Sequence, residues 1–380
     1  MKMNPTRALK VFWVALLIVF SSVATHATTV AGRDWQPQRT WVFVVGVLEW
    51  QQKDMFDSFP KENRRDAQLV SFFRQQGVPD EQIIFLKDEQ ATSRRVRESF
   101  PSFLSKAQDG DFLFFYYTGH GYKSDDAKET FFATYDASDK VDGWATDSIV
   151  KDIERNFRGS RALLTADTCY SGNLAVQAER LGSRVSYASL TSSSSSQQST
   201  GNWTFTEMLL AGFSGKSFAD INGDGEVSLT ELAEDIKDDM AFAEGQRSTF
   251  VTSSSFPAQM LVAPAERKIN PLISRRVEVR SEGDWYKARV IDARGSQYLV
   301  HYYGYDDWDD EWVTAREIRN LQAPQYAAGA RVEVNWQGKW YPARVLKVER
   351  GVHLIHYIGY DAGWDEWVSA NRIRKPATWN

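Results

Sequence analysis

The feature that most limits the fold of this 380-residue chain is an alternation in its first half, where short apolar runs are separated by amphipathic stretches. Trp41 to Val47, Ile83 to Leu86, Asp111 to Tyr117 and Arg161 to Asp167 read as strands, rich in β-branched and aromatic residues. Between them, Asn63 to Gln76, Thr92 to Ala107 and Asp147 to Phe157 carry apolar residues at helical spacing. Gly77 stops the first of these, and Pro101 is expected to interrupt or restart the second. Phe131 to Tyr135 is expected in a small hairpin. The pattern predicts the α/β class, with a mainly parallel sheet between helices. Ligands of such sheets bind beyond the carboxyl ends of the strands.

Two chemistry-bearing side chains fall at that edge. The sole cysteine, Cys169, lies in LLTADTCYSG (Leu163 to Gly172). About 50 residues upstream, DFLFFYYTGHG (Asp111 to Gly121) carries His120, the one histidine between the N-terminal leader and the C-terminal repeats. A thiol attacks a carbonyl as the thiolate; an adjacent imidazole lowers its pKa and later protonates the leaving amine. Gly121 lets the chain turn, so that its N–H and that of Cys169 can face the oxyanion of a tetrahedral intermediate. His120 and Cys169 are therefore the candidate catalytic pair, and Gly121 with Cys169 the candidate oxyanion hole. The alternative is an inert buried thiol, with His120 hydrogen-bonded in a turn.

YYTGHG followed by DTCYSG resembles the histidine and cysteine motifs of the caspase-like cysteine peptidases, and most closely the metacaspase and orthocaspase branch. Animal caspases have glutamine and alanine before the cysteine, where this chain has Asp167 and Thr168. The resemblance spans about Trp41 to Pro264 and implies a caspase-like sandwich. It also implies that Asp167 and Thr118 line the pocket for the residue preceding the cut, and that Asp66, in the imperfect Asn-Asp-Ala match Asn63 to Ala67, adds a further acid. Carboxylates beside a nucleophile attract a cationic side chain and repel an acidic one, so the expected cut follows Arg or Lys. Asp167 could instead be a cap or turn residue. The family often matures by cutting a loop after the cysteine. Gly172 to Arg184 reads as polar, so Arg180 and Arg184 are self-cleavage candidates. Ser192 to Ser196 reads either as a mobile loop near the cleft or as a solvated linker.

With 45 basic and 50 acidic residues, interspersed and summing to a net charge of −5, no nucleic-acid partner is expected. Residues 1–27 read as a signal peptide: Lys2, Arg7 and Lys10 precede the apolar run Val11 to Phe20, and small residues surround a cut after Ala27. The run is short for a membrane span. The mature chain is thus expected to be exported, periplasmic or secreted, and to have no membrane span.

Asp220 to Glu231, DINGDGEVSLTE, matches the twelve-residue EF-hand loop. Its ligands to Ca2+ would be Asp220, Asn222, Asp224, the carbonyl of Glu226, Ser228 and Glu231, with Gly225 at the sharp turn; a metal-free Asn-Gly turn is the other reading. Trp203 to Phe213 and Leu229 to Phe242 would be the flanking helices.

From Arg276 the chain repeats with a period of about 55 residues. Alternating short strands and glycine turns predict two small all-β barrels, five strands each. Gly-Tyr-Asp and Trp-Asp-Glu-Trp-Val resemble the Tudor-knot and chromo-barrel modules, with Trp364 at the family spacing and Trp308 one place early. Candidate aromatic cages are Tyr302, Tyr305, Trp308 and Trp312, then Tyr357, Tyr360, Trp364 and Trp367; the competing assignment is core packing. His301 and His356 hold equivalent positions, which points to a structural role. The predicted organisation is a peptidase domain over 35–264, with barrels over 265–322 and 323–376. The expected partners are a peptide or protein with Arg or Lys at the cut, and a basic or cell-surface ligand for the barrels. The rival is a catalytically silent scaffold whose barrels bind a peptide or cell-wall ligand.

Overall fold

The first apolar run forms β1 (Thr40–Gly46), buried along its whole length because it is paired on both edges and covered on both faces. This computed structural model describes residues 34–267, 270–319, 326–349 and 352–376. The segment read as a signal peptide, 1–27, lies outside the described residues. After β1 come α1 (Arg65–Gln75), β2 (Ile83–Lys87), α2 (Ser93–Leu104) and β3 (Phe112–Thr118). β4 (Gly121–Lys123), β5 (Thr130–Phe132) and β6 (Trp144–Ala145) then make a small antiparallel sheet, before α3 (Thr146–Asn156) and β7 (Arg161–Asp167). α4 (Asn173–Leu181), β8 (Ser186–Thr191), α5 (Thr204–Phe213), β9 (Glu226–Ser228), α6 (Leu229–Asp239), β10 (Thr249–Thr252) and β11 (Leu261–Pro264) follow.

The main sheet runs β10-β8-β7-β3-β1-β2, parallel except for β10. Period-2 alternation divides its core. Val42, Val44 and Phe114 face α1, α5 and α6, whereas Phe43, Val45 and Phe115 face α2, α3 and α4. The main expectations for this half hold. Gly77 ends the α1 segment at φ 91°, and Thr92 caps α2 by accepting the Arg95 amide at 3.2 Å. α2 continues through Pro101 without a restart. The polar stretch after Cys169 is a helix rather than a loop, because Leu174, Ala175 and Ala178 give α4 a buried face.

The two repeats are five-stranded antiparallel sheets. One comprises β12 (Arg276–Ser281), β13 (Asp284–Arg294), β14 (Gln297–Tyr302), β15 (Glu311–Thr314) and β16 (Ile318–Arg319). The other comprises β17 (Arg331–Trp336), β18 (Lys339–Glu349), β19 (Val352–Tyr357), β20 (Glu366–Ser369) and β21 (Ile373–Arg374). Both break register at the same place, between Val290 and Asp292 and between Val345 and Lys347. His301 and His356 each bond an aspartate through Nδ1, Asp310 at 2.8 Å and Asp365 at 2.7 Å, in keeping with equivalent structural roles.

The first barrel is bolted to α6. Arg276 and Arg289 are fully buried and pair with Asp235 and Asp239, Arg289 at 2.5 Å to each and Arg276 at 2.8 Å to Asp239; Tyr303 donates its hydroxyl to Asp239. Buried charges persist only when matched in this way. No helix among the described residues is long and apolar enough to cross a membrane.

Candidate active site

Parallel pairing of β3 with β7 sets Thr118 opposite Asp167. Two residues beyond each, His120 and Cys169 therefore stand at neighbouring strand ends on the carboxyl rim of one sheet. His120 sits among Trp50, Phe56 and Phe59, its ring 4.6 to 5.6 Å from theirs. Its Nε2 meets the carbonyl of Asp57 at 2.9 Å. A carbonyl only accepts, so Nε2 carries the proton and Nδ1 is left as the basic nitrogen.

The sulfur of Cys169 accepts the amide of Ser199 at 3.2 Å. Burial pushes the thiol up, while the amides of Ser199, Cys169 and Gly121 pull it down; the net shift is upward. Those last two amides are the expected oxyanion donors. Gly121 has no room for a side chain, since a Cβ there would stand 2.2 Å from the Cys169 carbonyl oxygen.

The turn that presents the nucleophile is braced from behind. Thr168 donates to the Gly119 carbonyl at 2.6 Å, tying the cysteine turn to the histidine turn. Tyr170 takes a left-handed φ of 58°. Ser192 accepts the Thr168 amide at 3.1 Å, and Ser193 bonds Ser171 and the Thr168 carbonyl. Neither expectation for the serine run, mobile loop or solvated linker, describes Ser192 and Ser193: they are fully buried and latch the catalytic turn.

A cavity of about 220 Å³ reaches Asp167, two residues before the nucleophile, and is lined by Thr118, Asp167, Trp203, Glu207 and Glu62 among others. Asp167 is almost fully buried and accepts the Thr206 hydroxyl at 2.7 Å, which in turn meets the Tyr116 hydroxyl at 2.6 Å. Burial pushes its carboxyl up to about 7, with the Thr206 and Ser192 hydrogen bonds pulling the other way. Thr118 lines the same cavity and donates to the Asp167 carbonyl at 3.2 Å.

Asp66 does not line it. Its carboxylate is fully buried and bound twice by Arg64, at 2.7 and 3.1 Å, while Arg64 also reaches Asp88. The first arginine of Asn63 to Ala67 folds back and consumes the charge that the motif would have offered a substrate. Gly46 makes the space, for a Cβ there would stand 1.8 Å from Asp66 Oδ2. Of the self-cleavage candidates, Arg180 lies in the last turn of α4, and Arg184 donates to the carbonyls of Ile153 and Glu154 at 3.1 and 3.0 Å. Glu62, Glu207 and Trp203 were not legible as pocket residues, because separate segments bring them together.

In the EF-hand-like loop, Asp220 accepts the amides of Gly223 and Gly225, Asn222 that of Asp224, and Asp224 that of Glu226. Glu231 reaches across to the Asn222 amide at 3.1 Å and bonds Ser228, capping α6. The donor set is all oxygen and hard, the chemistry calcium requires. Among the described residues, no three acidic, histidine or cysteine side chains converge as a metal-binding group.

In the second barrel Tyr357, Tyr360 and Trp364 do cluster, joined by Trp336 and Tyr341, with ring centroids 5.8 to 6.3 Å apart. Trp367 is elsewhere: Glu366 bonds the Tyr357 hydroxyl, so the next residue of the strand points to the opposite face, where Trp367 packs near Phe242. Trp312 follows Glu311 in the same way and lies under Arg294. Trp308, one place early, is 71% exposed on a short 3-10 turn. In the first barrel only Tyr302 and Tyr305 meet, with Tyr286 as the third ring.

Three family profiles match the chain: metacaspase, peptidase C14 domain over residues 66–176; Agenet domain over 275–324; and Tudor-knot, the RNA binding activity-knot of a chromodomain, over 327–375. Protein MRG1 of Arabidopsis thaliana is 39% identical over 54 residues, 13% of this chain, so the chain spans 17% of that relative's length. Among solved structures, protein GSU0716 from Geobacter sulfurreducens aligns with a TM-score of 0.43 at 13% identity, over 60% of this chain and 100% of that one. Caspase-1 from Spodoptera frugiperda aligns with a TM-score of 0.41 at 10% identity, over 63% and 94%. His120 and Cys169, at adjacent strand ends, both fall inside the first matched region, and the chain therefore carries a cysteine-peptidase domain of the metacaspase type, followed by Agenet and Tudor-knot domains.

Proposed function

We propose that the chain is an exported endopeptidase that cuts polypeptides after Arg or Lys. Cys169 attacks the carbonyl, His120 takes the thiol proton through Nδ1 and returns it to the leaving amine, and the Gly121 and Cys169 amides hold the oxyanion. The observation that carries the specificity is Asp167, a buried carboxylate lining a cavity two residues from the nucleophile. A guanidinium entering there repays the cost of that burial, whereas a substrate aspartate would add to it. The reading includes calcium held by the 220–231 loop, and barrels that recruit the substrate or a surface.

A panel of fluorogenic peptides differing only at the residue before the cut tests it. Arg and Lys peptides should be cleaved at least about 100-fold better than the Asp peptide, as like-charge exclusion of a few kcal/mol requires, and Cys169→Ala should be silent. Equal rates across the panel would contradict the specificity. An inert wild-type chain whose barrels still bind peptide would favour a silent scaffold.

A further inference from the structure

We propose that the first barrel forms part of the substrate pocket, with Tyr305 and Asp306 gripping the side chain that Asp167 receives; this rests on the Arg/Lys reading above. The cavity that reaches Asp167 and Thr118 has its far wall built from Gly304, Tyr305 and Asp306. That wall is fixed in place. Arg65, itself buried, bonds Glu207 of α5 at 2.7 Å and Asp307 of the barrel at 3.1 Å, with Asp306 at 3.7 Å. Gly304 stands against Asn202 on the peptidase side, where a Cβ would meet the amide at 3.6 Å.

Three features suit this wall to a cation. Tyr305 is 46% exposed and meets Tyr286 and Tyr302 edge to face, which leaves ring surface for a charge. Glu207 lines the same cavity, and its carboxylate, bound by Arg65 at 2.7 Å and facing His301 at 3.6 Å, adds negative charge to the wall. Finally, there is room: at roughly 30 Å³ per water, 220 Å³ holds about seven waters, enough to admit the seven bonded heavy atoms of an arginine side chain beyond Cα. The two repeats face different cavities. The second turns its ring cluster, Trp336 and Trp364 included, to a separate cavity beside Tyr170, whereas in the first Trp308 points to solvent and Tyr305 lines the cavity that reaches Asp167. A planar guanidinium uses a ring and several carboxylates together better than an ammonium does, so the pocket should prefer Arg to Lys.

The test is steady-state kinetics of the full chain on paired Arg and Lys peptides, with melting temperature as the folding control. Tyr305→Ala should raise KM for the Arg peptide about tenfold and leave kcat within about twofold, as lost binding alone does. It should narrow the Arg/Lys ratio, and Tyr305→Phe should restore both. If the alanine variant does not fold, Tyr305→Leu keeps the packing against Tyr286 and Tyr302 but lacks the π-face, and the same KM rise is expected. An unchanged KM and Arg/Lys ratio in Tyr305→Ala or Tyr305→Leu overturns the barrel's part while leaving the Arg/Lys reading intact. A wild-type chain that cleaves neither peptide overturns both.

Discussion

Asp167 is held where a carboxylate is least comfortable, and its discomfort sets the pH dependence of binding. Burial raises its pKa from the ordinary value to about 7. The sign follows from linkage: a group raised on folding contributes stability below its unfolded pKa near 3.8, and that contribution is lost as pH rises through about 7. Below pH 7 Asp167 is mostly neutral; above it, Asp167 is charged and favours a cation in the pocket. With thiol chemistry removed by Cys169→Ala, an Arg peptide should bind about tenfold more tightly at pH 8 than at pH 6, as the ionised fraction of a group titrating at 7 requires. Calorimetry reads this directly, and Asp167→Asn should flatten the curve. At the neighbouring turn, Gly121→Ala should lower kcat by roughly 10²-fold or more with KM little changed, because moving an oxyanion donor costs transition-state binding alone.

Elements buried on both faces were the legible ones. β1, β3 and β7 appear in the sequence as apolar runs because nothing polar survives between two helical layers. β8, SYASLT, was not legible: it is buried by pairing with β7 on one edge and β10 on the other, not by its own hydrophobicity. α4 was hidden by its polar outer face. Cys169 and His120 stood out by motif and uniqueness, whereas Trp336 and Tyr341 join the ring cluster only once β17 and β18 pair, and Asp66 lost its assigned place to an arginine two residues away. The 220–231 loop and α6 make a prediction at this scale. If the loop binds calcium, the ion gathers Asp220, Asp224 and Glu231 around it and stiffens the start of α6, so added calcium should raise the melting temperature and chelator should lower it. Indifference to both would make the segment a turn and a helix cap.

Over the whole molecule, the barrels clasp the catalytic rim from two sides. The first reaches the Asp167 cavity, and the second sets its ring cluster against Tyr170 and Ser194 across a cavity of about 680 Å³. The clasp depends on the buried charges between α6 and the first barrel. Arg289→Met removes one of two cations facing Asp235 and Asp239, and should lower the unfolding free energy by about 3 to 5 kcal/mol, seen as a reduced urea midpoint. A midpoint within error of wild type would mean that the barrel is not anchored there. His301 belongs to the same junction. Burial lowers its pKa, but Asp310 and Glu207 outweigh this and hold it at about 10, so its contribution is complete below pH 6.5 and lost as pH rises toward 10. The most direct test of the account is covalent: the intact full-length chain is treated with an arginine chloromethyl ketone, and its mass is measured. One label per chain, on Cys169, absent in His120→Ala and outcompeted by an Arg peptide but not an Asp peptide, is the result expected; labelling that ignores His120, or that an aspartyl analogue matches, would contradict it.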